Sequence, residues 1–294
     1  MEPRVIMLVD LDYFYAQCEE RRDPSLRDKP VVVCVYSGRT EESGAVSTAN
    51  YMARGYGVKS GMPIFIAKRK LKDVDAVFLP MDHAFYEEVS DDVMAILRGF
   101  ADIFEQVGID EAYLDATRRT SGSFEAAREL AQQLREDVKA RENLTCSVGV
   151  GPNKLVAKIA ADFQKPDGLT VVKPDKVESF LAPLPVKRLM GVGTKIGKRM
   201  ESLGIKTIGD LAGYDVQEMI EAFGKNLGGY LHSASLGIDE APVQERGEAE
   251  SISRISTLKE DTRDLQILLE KTAQLCEDVH ANVVERNVSF RSVA

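Results

Sequence analysis

Residues 5–9 (VIMLV) are apolar without interruption, the pattern of a strand covered on both faces, and Asp10 stands at their exit. Further along, Ala84, Phe85, Val89, Val93, Ile96 and Leu97 recur at three- and four-residue spacing, which predicts a helix over 84–97. A short strand at 103–107, a tight turn through Gly108, Ile109 and Asp110, and a strand at 112–114 then predict a hairpin. Phe124, Ala127, Leu130, Leu134 and Val138 mark another helix, and 145–150 have strand composition. The order β-α-β-β-α-β is that of the split βαβ, ferredoxin-like arrangement, so the fold class expected is α+β. In that arrangement the third strand lies between the first two and runs antiparallel to the first.

The end of the first strand therefore meets the start of the third. Asp10 closes one, while Asp110 and Glu111 open the other, so topology alone brings three carboxylates to one sheet edge. Carboxylates gathered from distant sequence repel one another unless a divalent cation neutralises them, which points to metal-dependent phosphoryl chemistry. Three solvated loop acids are the plainer alternative. Asp12 and Asp115 fit local capping or pairing better than metal binding.

An insertion between the first strand and the 84–97 helix is large enough for a small subdomain, with a strand at 31–35, a Gly-containing loop and a helical segment over 48–55. On such a helix Thr48, Tyr51 and Arg54 would share one face and present two hydroxyls and a guanidinium, a surface suited to a triphosphate. Lys165, Pro166, Asp167 and Gly168 mark a break, after which 173–236 read as helical with repeated Gly. Residues 236–249 are polar with little periodicity and read as a linker. Strand-like 252–258, a helix carrying Leu265, Leu268, Leu269, Leu275 and Val279, and strand-like 288–293 follow.

With 294 residues and 44% hydrophobic content, the chain can bury substantial cores in two or more domains. Its four cysteines form no C-x-x-C spacing, which argues against a zinc site and a disulfide framework and for a reducing, intracellular compartment. There is no apolar run of about 20 residues and no signal-peptide pattern, so a membrane role is not expected. The net charge of -9 hides an uneven distribution: residues 154–206 hold 11 Lys/Arg against 5 Asp/Glu. Within that basic segment, Leu189 to Lys195 followed by helix-like 196–203 reads as a helix-hairpin-helix. Gly191 and Gly193 would aim backbone N–H groups at a phosphate, and Lys195, Lys198 and Arg199 would add charge.

V-D-L-D-Y-F-Y (9–15), T-A-N-Y-M-A-R (48–54), I-D-E-A-Y-L-D (109–115) and A-K-I-A-A-D-F-Q-K-P-D-G (157–168) together resemble the DinB-type Y-family translesion DNA polymerases, especially the archaeal members. The resemblance implies a palm over 1–13 and 80–172, fingers over 14–79, a helical thumb over 173–236, a linker over 237–248 and part of a little finger over 249–294. It implies low-fidelity, template-directed nucleotidyl transfer from dNTPs to a primer 3' end, without proofreading, on primer-template DNA, by a monomer. Two Mg²⁺ ions, replaceable by Mn²⁺, would be bridged by Asp10 and Asp110. Glu111 would hold the primer-side ion and the Leu11 carbonyl the nucleotide-side one. The resemblance also assigns Tyr13, Phe14, Tyr15, Thr48, Tyr51, Arg54 and Lys165 to the incoming nucleotide, with Tyr15 as the steric gate against ribose. The small residues Gly44, Ala45 and Ser47 fall at the lid over the templating base.

The chain departs from the family at Met190, where proline is usual, at Gly108, where serine is more common, and in carrying only the first half of a little finger. A shortened chain with a weaker grip on DNA is expected, with any tail for a sliding clamp lying beyond Ala294. Two other functions stay open: a DNA-binding scaffold without catalysis, and a nucleotidyl cyclase. Intact Asp10, Asp110, Glu111 and Tyr15 oppose the scaffold, while the helix-hairpin-helix and basic segment oppose the cyclase.

Overall fold

A computed structural model describes residues 4–40, 42–245, 247 and 251–293. In chain order, β1 (Ile6–Leu11), α1 (Phe14–Arg22), β2 (Val31–Tyr36), β3 (Gly44–Ala49), α2 (Tyr51–Gly55), α3 (Ile64–Lys70) and β4 (Val77–Pro80) come first. They are followed by α4 (His83–Arg98), β5 (Ile103–Gln106), β6 (Glu111–Asp115), α5 (Phe124–Glu142), β7 (Cys146–Gly151), α6 (Lys154–Ala161) and β8 (Leu169–Val171). The helices α7 (Val177–Leu181), α8 (Thr194–Ser202), α9 (Ile208–Ala212), α10 (Val216–Phe223), α11 (Lys225–Ser235) and α12 (Leu265–Glu285) complete the chain. Two compact units result, Met1–Asp23 with Asp82–Arg246 and Pro24–Met81 with Gly247–Ala294. No helix among the described residues is long and apolar enough to cross a membrane.

The first unit is built on a five-stranded sheet in the order β5-β6-β1-β7-β8. β6 lies between β1 and β5 and is antiparallel to both, as the split βαβ pattern requires. β8, a short strand parallel to β7, was not foreseen because its three residues carry no periodicity. Every residue of β1 is buried, which explains its unbroken apolar run. Ile6 and Leu8 pack with Tyr113 of β6 and Ala157 and Ala161 of α6, so the even positions of β1, Asp10 included, look toward α6. That helix sits unusually close: a Cβ on Gly149 of β7 would come within 2.0 Å of the Ala157 carbonyl oxygen.

Helices α7 to α11 close over a second core, in which Leu181, Met200, Ile208, Met219 and Leu231 join Leu155 and Ile159 of α6. α1 clusters with the sheet's unit, and six of its nine residues are buried. The polar stretch after α11 is also docked. Val243 is buried beside Ile6 and Tyr113, Asn153 Nδ2 donates to the Gly237 carbonyl at 2.8 Å, and Leu155 N donates to Asp239 Oδ2 at 3.0 Å.

In the second unit, β2 pairs with β3 and β4 around a core of Val32, Val46, Ala53, Ile64 and Leu71. Two expectations are corrected here. Thr48 is on strand β3, paired with Val33, rather than on a helix. The helix starts later because Asn50 caps it, its Oδ1 accepting from Ala53 N at 3.0 Å. Gly44, Ala45 and Ser47 likewise lie in β3 and not in a loop. The segments 252–258 and 288–293 form no strands, neither being paired with another strand among the described residues. α12 is a helix as expected, without a buried residue.

Candidate active site

The register of β1 against β6 makes Asp10 and Glu111 direct Cα partners. Leu11 N donates to the Asp110 carbonyl at 2.9 Å, so the last residues of β1 are bonded to the first of the hairpin's return strand. The turn before Asp110 is held from two sides: Ser90 Oγ of α4 donates to the Ile109 carbonyl at 2.5 Å, and Gln106 Nε2 donates to the Gly108 carbonyl at 3.1 Å. Ser90 is buried and was not anticipated, because a serine inside an apolar helical stripe gives no sign of which carbonyl it will meet.

Two ammonium groups from beyond β7 lean onto these acids. Lys158 of α6 bridges Asp10 Oδ2, at 3.3 Å, and Glu111 Oε2. Lys165 Nζ lies 2.6 Å from Asp10 Oδ1 and 3.0 Å from Asp162. Burial alone would push both ammonium groups toward neutrality, but the charge and hydrogen bonds of the carboxylates outweigh it and their pKa values rise. Lys158 is a second residue missed from sequence, where it reads as one more polar position on an amphipathic helix. Asp110 has no such cation paired with it among the described residues. Burial, then the charges of Asp10 and Glu111, push its carboxyl up to about 6.

Asp12 has a different task. It is 1% exposed and accepts from Thr145 Oγ1 at 2.9 Å, Ser147 Oγ at 2.8 Å and Asp167 N at 2.8 Å, joining β1 to β7 and to the segment carrying Lys165. Its carboxylate oxygens are thus engaged inside the protein.

Tyr13 takes the left-handed conformation (φ 36°) at the N-terminus of α1, and its hydroxyl donates to Glu20 at 3.1 Å. Phe14 is buried, which leaves its backbone rather than its ring for a ligand. The Tyr15 ring stacks on Tyr86 of α4 with centroids 4.6 Å apart. Its hydroxyl is made less acidic by burial and by the charge of Asp110, so the two side chains belong to one electrostatic neighbourhood.

In the other unit, Arg54 and Tyr51 remain neighbours on α2, the guanidinium 4.9 Å from the ring centre, and Arg54 Nε donates to the Ala49 carbonyl at 2.8 Å. Thr48, on β3, does not share their helix face. In the helical region Gly191 adopts φ +84°, a turn conformation suited to glycine, and Gly193 opens α8 without a side-chain cap. Gly191, Gly193, Lys195 and Lys198 are all exposed. The first element of the expected hairpin is only a short 3-10 turn, Val186–Arg188.

Among the described residues no three His, Cys, Asp or Glu side chains are gathered in ligating geometry, and Asp10 and Glu111 are instead paired with Lys158 and Lys165. The donor chemistry nonetheless suits hard divalent cations: oxygen ligands only, two on paired strands, and a third acid whose carboxyl is pushed up by burial and then by its two acidic neighbours.

Residues 9–162 match the impB/mucB/samB family, and 187–239 match the thumb domain described for DNA polymerase-iota. The chain is 49% identical over 294 residues to a DNA polymerase IV of Nitrosopumilus maritimus, covering all of this chain and 81% of that one. It resembles a Y-family DNA polymerase chimera with a TM-score of 0.87 at 39% identity, over 94% of this chain and 80% of that one. An insertion ternary complex of Dbh DNA polymerase is similar with a TM-score of 0.79 at 39% identity, over 95% and 80% of the two chains.

Proposed function

The chain belongs to the Y-family DNA polymerases of the DNA polymerase IV (DinB) type, and from that membership we propose which of its residues carry out template-directed nucleotidyl transfer. It is a translesion DNA polymerase that acts on primer-template DNA, with palm, fingers and helical thumb. The observation that carries the assignment of residues is the pairing of Asp10 with Glu111, beside Asp110, at the edge shared by β1 and β6.

Asp10, Asp110, Glu111 and the Leu11 carbonyl would hold two divalent cations, Mg²⁺ or Mn²⁺. When bound, these supply Lewis-acid activation of the primer 3'-hydroxyl and neutralise charge on the leaving pyrophosphate. Lys165, beside Asp10, would bind the triphosphate, and the fingers residues Thr48, Tyr51 and Arg54 are proposed to bind it too. Tyr13 and Phe14 would offer backbone N–H groups at the start of α1, and the Tyr15 ring would stand where a ribose 2'-hydroxyl must be refused. Gly191, Gly193, Lys195 and Lys198 would hold a DNA phosphate without reading sequence. The palm would run over 1–13 and 80–172, the fingers over 14–79, the thumb over 173–236, the linker over 237–248 and the little-finger segment over 249–294.

Primer extension with Mg²⁺, comparing the chain with Asp110→Ala, tests this reading. Extension by the parent chain alone is expected. Extension by both would overturn the metal assignment, and extension by neither would favour a DNA-binding scaffold.

A further inference from the structure

Glu19 is a buried carboxylate to which none of the chemistry above gives a task. It lies on α1 four residues after Tyr15, so the two share one face of the helix. Tyr86 of α4 crosses that face and is fully buried. Its ring stacks on Tyr15 at 4.6 Å with an interplanar angle of 24°, and its hydroxyl donates to Glu19 Oε1 at 2.6 Å. Glu19 is fixed in turn by a fork from Arg22: Nη2 donates to Oε1 at 2.8 Å and to Oε2 at 2.7 Å, and Nε to Oε2 at 3.2 Å. The remaining guanidinium nitrogen reaches Asp82 Oδ2 at 2.8 Å, and Asp82 caps α4 through Phe85 N. Phe14 and Phe85 flank the Tyr86 ring at 6.5 and 5.8 Å.

Stacked rings resist tilting but slide easily past one another, since dispersion between faces depends weakly on offset. A short hydrogen bond to a charged acceptor at the far end of the ring removes that sliding freedom. Tyr86 is held in this way, and Tyr15 has Tyr86 as its backing. We propose that Glu19, by gripping the Tyr86 hydroxyl, fixes the Tyr15 ring in place and so sets how strictly the site refuses a ribonucleotide. Glu19 and Tyr86 are positioning residues in this account, which rests on the reading of Tyr15 as the sugar gate.

The test is single-nucleotide incorporation of matched dNTP and rNTP by the full chain, by Tyr86→Phe, Glu19→Ala, their double variant and Tyr15→Ala. Tyr86→Phe and Glu19→Ala should each lower the dNTP-over-rNTP ratio of kcat/KM about tenfold, and the double variant no further, because both cut the same bond. General loosening would lower both substrates together and leave the ratio unchanged. A ratio unchanged in Tyr86→Phe while Tyr15→Ala loses discrimination overturns the role of Glu19 alone. A ratio unchanged in Tyr15→Ala removes the gate, and the role of Glu19 with it. Should Glu19→Ala fail to fold, Tyr86→Phe decides by itself, since it keeps the ring and deletes only the hydroxyl.

Discussion

Asp10 and Glu111 face one another as register partners across β1 and β6, and their carboxylates share the ammonium of Lys158. Removing that cation leaves a buried and a half-buried acid facing each other with less compensation. Lys158→Met should therefore cost about 2 kcal/mol of stability in EDTA, and much of the loss should return when Mg²⁺ is added. Thermal melting with and without the metal reads both effects. An equal loss in both conditions would separate Lys158 from the metal site.

The raised pKa of Asp110, about 6, makes a prediction with a definite sign. Because the folded value lies above the ordinary carboxylate value, the stability this group contributes is complete below about pH 4 and is lost as pH rises through about 6. Metal-free Asp110→Asn should thus match the parent chain near pH 4 and exceed it by up to about 3 kcal/mol at pH 8. Urea denaturation across that range would show it. A difference that does not vary with pH would mean the strain on Asp110 is not electrostatic.

Asp12 sits two residues from Asp10 yet has its acceptors filled by Thr145, Ser147 and Asp167. Asp12→Asn should cost about 2–3 kcal/mol, because a charged acceptor of several hydrogen bonds is replaced by an amide that must turn one donor away. The Mg²⁺ concentration at half-maximal thermal stabilisation should stay unchanged. A shift in that midpoint would make Asp12 a cation ligand after all.

Lys195 and Lys198 stand exposed on α8 behind the glycine turn. Lys195→Glu with Lys198→Glu should weaken binding equally for duplexes of unrelated sequence, and should reduce the slope of log affinity against log salt by about 2. Fluorescence anisotropy over a salt series measures both. A loss confined to one sequence would rule out simple phosphate holding.

The meeting of Asp10 with Glu111 could be read from sequence because it follows from strand order, and strand order follows from hydrophobic periodicity. Lys158 and Ser90 could not, since each acts across a packing distance that no spacing along the chain encodes. Thr48 misled for a local reason: its three-residue spacing to Tyr51 and Arg54 imitates a helix face, while Asn50 delays the helix until after it. The strands expected at 252–258 and 288–293 had the right composition but no neighbour to complete them. Tyr86 and Glu19 were passed over because an aromatic on an apolar helix face and an acid within a charged run are the least informative residues a sequence offers.

Gly149, buried in β7 under the Ala157 carbonyl, has a wider reach than its position suggests. An added methyl there must lift α6 off the sheet, and Lys158 rides on α6 toward Asp10 and Glu111. A random-mutagenesis screen for loss of polymerisation would accordingly return Gly149 alongside Asp110, although Gly149 has no side chain with which to touch a substrate. In this molecule the depth at which one helix is seated decides where the counter-charge of the site comes to rest.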